Sequence, residues 1–136
     1  MLLTFSIALL ITAAPQGKLV LVSTLEAQGA TAVQLVTVRD AVLAELKSQG
    51  YDARAEELGA PKNAAGTVGG AVVLMNGIFE VTLRLKEAGT AAIIATSSVR
   101  CGAPEKLVDA AKEAAGQLAR EGRAQWGMRT RFRPAK

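Results

Sequence analysis

Histidine is missing from all 136 residues of this chain. That absence removes imidazole acid–base catalysis, Ser–His and Cys–His nucleophile pairs, and histidine metal ligation. Cysteine occurs once, at Cys101, so neither an internal disulfide nor a cysteine-built structural zinc site can form. The thiol follows an apolar run and reads as a small hydrophobe near the end of a strand. In an exported chain the alternatives are a free thiol or a bond to another chain. Aromatic residues make up 4% of the sequence against 50% hydrophobic residues in all. Val, Leu, Ile and Ala must therefore build the core.

A net basic charge is lacking over most of the chain as well. The formal net charge is +4, but residues 120–136 hold six basic side chains and one acid, while the other 119 residues hold 10 basic and 11 acidic ones. The basic character belongs to the C-terminal segment and not to a domain-wide surface.

Met1–Ala14, MLLTFSIALLITAA, carries no charged side chain. An apolar stretch followed by the small residues Thr12, Ala13 and Ala14 reads as an export signal. Pro15 moves the expected cut to follow Ala13. The stretch falls short of the roughly 20 apolar residues a bilayer-spanning helix needs. An uncut membrane-surface anchor and a buried strand or helix are the alternatives. No cysteine stands near the junction, so lipoprotein processing is not expected. The predicted organisation is a signal at 1–14, one domain at 15–120 and a basic aromatic tail at 121–136.

Within the domain, Lys18–Thr24 is a continuous apolar run and reads as a buried strand. LEAQGA follows as a linker. Thr31 with Gln34 three residues later forms a capping box and opens a helix running to Ser48. Leu35, Val38, Val42 and Leu46 recur at helical spacing on its inner face. Gly50 fits the left-handed position that ends it. Tyr51–Leu58 alternates weakly and reads as a strand near a sheet edge. LGAPKNAAGTVGG reads as a loop by its Gly, Pro and Asn content. Ala71–Met75 is a strand, Asn76-Gly77 signals a tight hairpin, and Phe79, Val81, Leu83 and Leu85 give the next strand one buried face. Ala91–Val99 is the last strand. Pro104 opens a second helix with Leu107, Val108, Ala111, Ala114, Ala115 and Leu118 inward, and Gly122 is its expected stop.

The expected fold is α/β of the α+β kind. It is a two-layer sandwich of a mixed four- to five-stranded sheet and two helices, in the order β-α-β-β-β-β-α.

Motifs for chemistry are few. Gly66-Thr-Val-Gly69-Gly70 lacks the Lys-Ser/Thr ending of a phosphate loop and leads into a strand. Glu56 and Glu57 are adjacent, so in a strand they point to opposite faces. Glu80 and Glu87 stand among wet-face positions, no acidic cluster has calcium-loop spacing, and Ser97-Ser98 has no nucleophile-elbow turn. No catalytic residue, cofactor or metal is expected. The contact candidates are in the tail: Arg123, Trp126, Arg129, Arg131, Phe132 and Arg133. Arginines interleaved with aromatics suit an acidic protein groove or anionic lipid, and export argues against nucleic acid. The alternation in Arg129–Arg133 also suits addition to a sheet edge. A solvated tail with Trp126 folded back onto the sheet is the plain alternative.

Three stretches together resemble the TolB amino-terminal and curli-export type of periplasmic α/β domain. They are KLVLVSTLEAQGATAVQLVTVRDAVLAELKSQGYDA, GGAVVLMNGIFEVTLRLKEAGTAAIIATSS and PEKLVDAAKEAAGQLARE. The segment between the second and third strands is shorter than in members that carry a helix there. The resemblance implies a non-catalytic domain of the periplasm or cell envelope that meets an envelope protein, with an anionic membrane surface as the alternative partner. It transfers no functional residue.

Overall fold

The computed structural model describes residues 18–56 and 63–132, with side chains described as far as Trp126 on the last helix. The expected signal at 1–14, Pro15, the stretch 57–62 and Arg133–Lys136 lie outside the described residues. The elements are β1 (Leu19–Val22), β2 (Glu26–Gln28), α1 (Ala32–Ser48), β3 (Asp52–Ala55), β4 (Gly66–Met75), β5 (Ile78–Glu87), β6 (Ile93–Cys101), a 3-10 turn at Pro104–Lys106, and α2 (Leu107–Phe132). All six strands form one mixed sheet in the order β3-β1-β4-β5-β6, with β2 also paired to β4. β1 runs parallel to β3 and to β4, and β4, β5 and β6 form an antiparallel meander. Both helices pack on one face of the sheet, which gives the expected two-layer α+β fold with one short strand added.

Local chemistry accounts for these elements. The Gln34 amide donates to Thr31 Oγ1 at 3.1 Å and the Thr31 amide donates to Gln34 Oε1 at 2.9 Å, completing the capping box. α1 ends as a Schellman motif: Gly50 N–H donates to Lys47 C=O and Tyr51 N–H to Leu46 C=O, with Gly50 at φ +100°. Asn76 and Gly77 have φ of 54° and 78°, the two positive values of a type I′ hairpin turn. The turn pairs Met75 with Ile78 and carries the ladder without a break to Gly66 opposite Glu87.

The core lies between sheet and helices. Val20, Val22, Val72, Val81, Leu83 and Leu85 face Val38, Val42 and Leu46 of α1 and Leu107, Ala111, Ala114, Ala115 and Leu118 of α2. Alanines along α2 let its backbone lie close to the sheet. Two buried hydroxyls pin it there. Ser97 Oγ on β6 donates to Ala114 C=O at 2.7 Å, and Tyr51 Oη donates to Ala119 C=O at 2.8 Å.

The structure corrects three expectations. Gly66–Gly70 is strand, not loop, because the hairpin ladder imposes ten residues on β4 to match the ten of β5. A Cβ on Gly70 would stand 1.9 Å from Thr82 C=O, so only glycine fits there. Glu26–Gln28 is likewise strand and not linker, since the lengthened β4 offers it a free edge at Ala71–Val73. Gly122 does not stop α2, which continues to Phe132, so the segment from 121 to 132 is helical and not extended. A Cβ at 122 would lie 2.7 Å from Leu85 Cδ2 and 2.9 Å from Tyr51 Oη. The glycine serves helix–sheet approach.

Candidate functional site: the open face of the sheet

The contact residues expected from the sequence separate in the structure. Trp126 is buried, with its ring 6.3 Å from that of Tyr51 and Lys18 Nζ 5.1 Å from its centroid. It folds back against the sheet and ties the start of β1 to α2. Arg123 donates from Nη1 to Gln49 C=O at 2.9 Å and from Nη2 to Gln49 Oε1 at 3.3 Å. A cation at the C-terminal end of α1 also complements that helix's dipole. Arg129, Arg131 and Phe132 stand on the last turn and a half of α2, and Arg133 lies outside the described residues. At about 39 Å, α2 is longer than the roughly 30 Å of β6.

The sheet face opposite the helices carries no element among the described residues. Asp52 and Arg54 of β3, Thr67, Gly69, Ala71 and Val73 of β4, Glu80, Thr82, Arg84 and Lys86 of β5, and Thr96, Ser98 and Arg100 of β6 share it by register and alternation. Part of this face is internally satisfied. Arg100 pairs with Glu80 at 3.5 Å, Ser98 Oγ donates to Glu80 Oε2 at 2.9 Å, Thr82 Oγ1 lies 3.3 Å from Ser98 Oγ, and Arg54 pairs with Asp52 at 3.2 Å.

Another part is not. A groove of about 330 Å³ is lined by Ser23, Thr24, Glu26, Glu56, Thr67, Gly69, Gly70, Ala71, Arg84 and Lys86. Its origin is the break between β1 and β2. Val22 pairs with Val68 and Glu26 with Ala71, so three residues on one side span two on the other. The surplus residue lets Leu25 turn into the core and leaves Ser23 and Thr24 at the surface. Thr67, Gly69 and Ala71 are the small outward residues of β4 and form the floor. Glu26 and Glu56 stand toward one side, Arg84 and Lys86 toward the other. Among the described residues no ion pair engages any of these four charges. Ser23 Oγ donates to Val68 C=O at 3.2 Å, which fixes its position and leaves its lone pairs available.

No motif in the sequence marks Ser23, Thr24, Glu26, Thr67, Arg84 or Lys86, and Glu56 stands out there only as one of two adjacent carboxylates. One signal was there to be used. Counting ten residues back from Asn76-Gly77 turns Gly66–Met75 into a strand whose first three outward positions, Thr67, Gly69 and Ala71, are small.

Catalytic groupings are sparse. Among the described residues no cluster of His, Cys, Asp and Glu could hold a metal, and no helix is long and apolar enough to cross a membrane. Cys101 ends β6 half-buried, with Sγ 3.6 Å from Ala103 C=O.

Neither a protein-family model nor a curated protein sequence matches the chain. Solved structures are similar to it. PelC from Paraburkholderia phytofirmans, a dodecamer, has a TM-score of 0.60 at 16% identity over 77% of this chain and 86% of that one. TolB from Acinetobacter baumannii has a TM-score of 0.54 at 11% identity, covering 82% of this chain and 28% of TolB. Lipoprotein GNA1162 from Neisseria meningitidis has a TM-score of 0.51 at 10% identity, over 62% of this chain and 80% of that one. At these identities the likeness is one of fold, and the TolB-type resemblance drawn from the sequence holds at that level.

Proposed function

We propose that the protein is an exported, non-catalytic binding or assembly module of the cell envelope, and that its open sheet face makes the contact. One observation carries this reading: the face away from the helices holds a preformed polar groove whose charges have no partners among the described residues. The fold it shares with PelC, solved as a dodecamer, and with a Neisseria lipoprotein supports the assembly role and the envelope setting. The uncharged N-terminal segment supports export. Cell fractionation of the native host with intact-mass analysis tests it. The expected result is an envelope or periplasmic protein shortened by cleavage after Ala13. A full-length protein in the cytosol would sink the reading.

A second reading rests on the far end of α2. Trp126 sits over Lys18, so the basic end of α2 and the start of the described chain share one end of the domain. That placement suits an anionic lipid surface met by Arg129, Arg131, Phe132 and Arg133. Vesicle flotation with and without phosphatidylglycerol, at rising salt, separates the two. Binding that needs the anionic lipid and weakens with salt supports this reading, and its absence removes it.

A further inference from the structure

We propose that the groove beside the β1–β2 break is a binding site for a small zwitterion, a solute of amino-acid to dipeptide size bearing both an ammonium and a carboxylate. Thr67, Gly69 and Ala71 project little from β4, so the two flanking strands stand as walls. Those strands lie about 10 Å apart, backbone to backbone, which leaves room for a single ligand layer between their side chains. The volume of about 330 Å³ lies at the small end of ligand sites.

The walls then select the charge. On the β5 side, Arg84 and Lys86 are successive outward residues, opposite Gly69 and Thr67 in the ladder. On the other side, Glu26 is paired with Ala71, and Glu56 follows β3 beside the end of β1, where its amide donates to Val22 C=O at 2.8 Å. Glu26 therefore lies diagonally across the floor from Arg84. The charged groups nearby on the same face, Asp52 with Arg54 and Glu80 with Arg100, are engaged with each other. A simple anion meets the cationic wall but is repelled by Glu26 and Glu56. A simple cation meets the reverse. A zwitterion satisfies both walls at once, and discrimination of this kind comes as much from repulsion as from attraction. Ser23, Thr24 and Thr67 add hydroxyls for the ligand's polar atoms. The site also lies where β1 and β3 end, and the carboxyl ends of parallel strands are the usual binding edge of open α/β sheets.

The test is an amide-shift titration of the 15N-labelled mature protein with three probes: L-alanyl-L-alanine, acetate and ethylammonium. The dipeptide is expected to shift the amides of Thr67, Gly69, Gly70 and Ala71 saturably, about tenfold more tightly than either single-charge probe. Arg84→Gln and Glu26→Gln should each weaken it by about threefold to tenfold while leaving the spectrum elsewhere unchanged. Equal response to acetate and the dipeptide would overturn the zwitterion in favour of a plain anion site. No saturable shift of these four amides would overturn the site itself. Neither failure touches the fractionation result, so the envelope reading stands or falls separately.

Discussion

The two faces of the sheet are built from the same strands and differ in almost everything else. On the helix side, the inward residues of β5, Phe79, Val81, Leu83 and Leu85, are all buried in one apolar cluster. On the open side, the alternate residues Glu80, Thr82, Arg84 and Lys86 are polar and hydrated to differing degrees. The hydroxyls that enter the helix side, from Ser97 and Tyr51, end on helix carbonyls. The open side is satisfied around Glu80 and between Asp52 and Arg54, while at the β1–β2 break no ion pair among the described residues engages Glu26, Glu56, Arg84 or Lys86. Burial of one face supplies stability, and the other is the face proposed to make the contact.

Changes that cross that division should show it, in descending size. Leu118→Ala removes a fully buried side chain between α2 and the sheet. It should cost about 2–5 kcal/mol in urea unfolding. Gly122→Ala sharpens the account of α2. At a mere helix stop or an exposed helical glycine, alanine would stabilise by up to about 1 kcal/mol. Here the new methyl meets Leu85 and Tyr51, so a net loss of about 1 kcal/mol is expected from overpacking. Tyr51→Phe deletes the bond to Ala119 C=O and should cost about 1 kcal/mol.

The same residue gives a pH signature. Burial raises the Tyr51 hydroxyl above its usual value near 10, against a smaller opposing effect of the Arg123 guanidinium. The folded state therefore holds this proton more tightly than the unfolded chain. Stability from this group is fully present below about pH 10 and is lost as pH rises through the higher folded value. Unfolding free energies from pH 9 to 11 should fall more steeply for the native protein than for Tyr51→Phe. Smallest of all, Arg84→Gln on the open face should change stability by less than about 0.5 kcal/mol. A large loss there would break the division between the faces.

Much of the helix side was legible in the sequence, and most of the open side was not. Thr31 with Gln34, Gly50, Asn76-Gly77 and the alternation from Phe79 to Leu85 each encode a local decision, and each stands in the structure as read. Burial repeats at the helix or strand period, so it leaves a pattern in one dimension. The groove leaves none. Its floor is a run of small residues that resembles a loop until the hairpin register is counted back from Asn76. Its walls come from Ser23, Thr24, Glu26, Glu56, Arg84 and Lys86, which only the sheet brings together. The basic segment misled for a related reason. Gly122 and the arginines after it look like the end of a helix, whereas the helix continues to Phe132, with Trp126 packed against Tyr51 and Lys18 in the first turn beyond the glycine. A tertiary contact overrode the local signal.

The proposed contact is made by the open face and not by the helix face. Site-specific photo-crosslinking in the native host tests it most directly, with a photoreactive phenylalanine placed at Arg84 on the open face or at Lys112 on the exposed side of α2. A discrete crosslinked species is expected from position 84 and none from position 112. Crosslinks from position 112 with none from position 84 would contradict it.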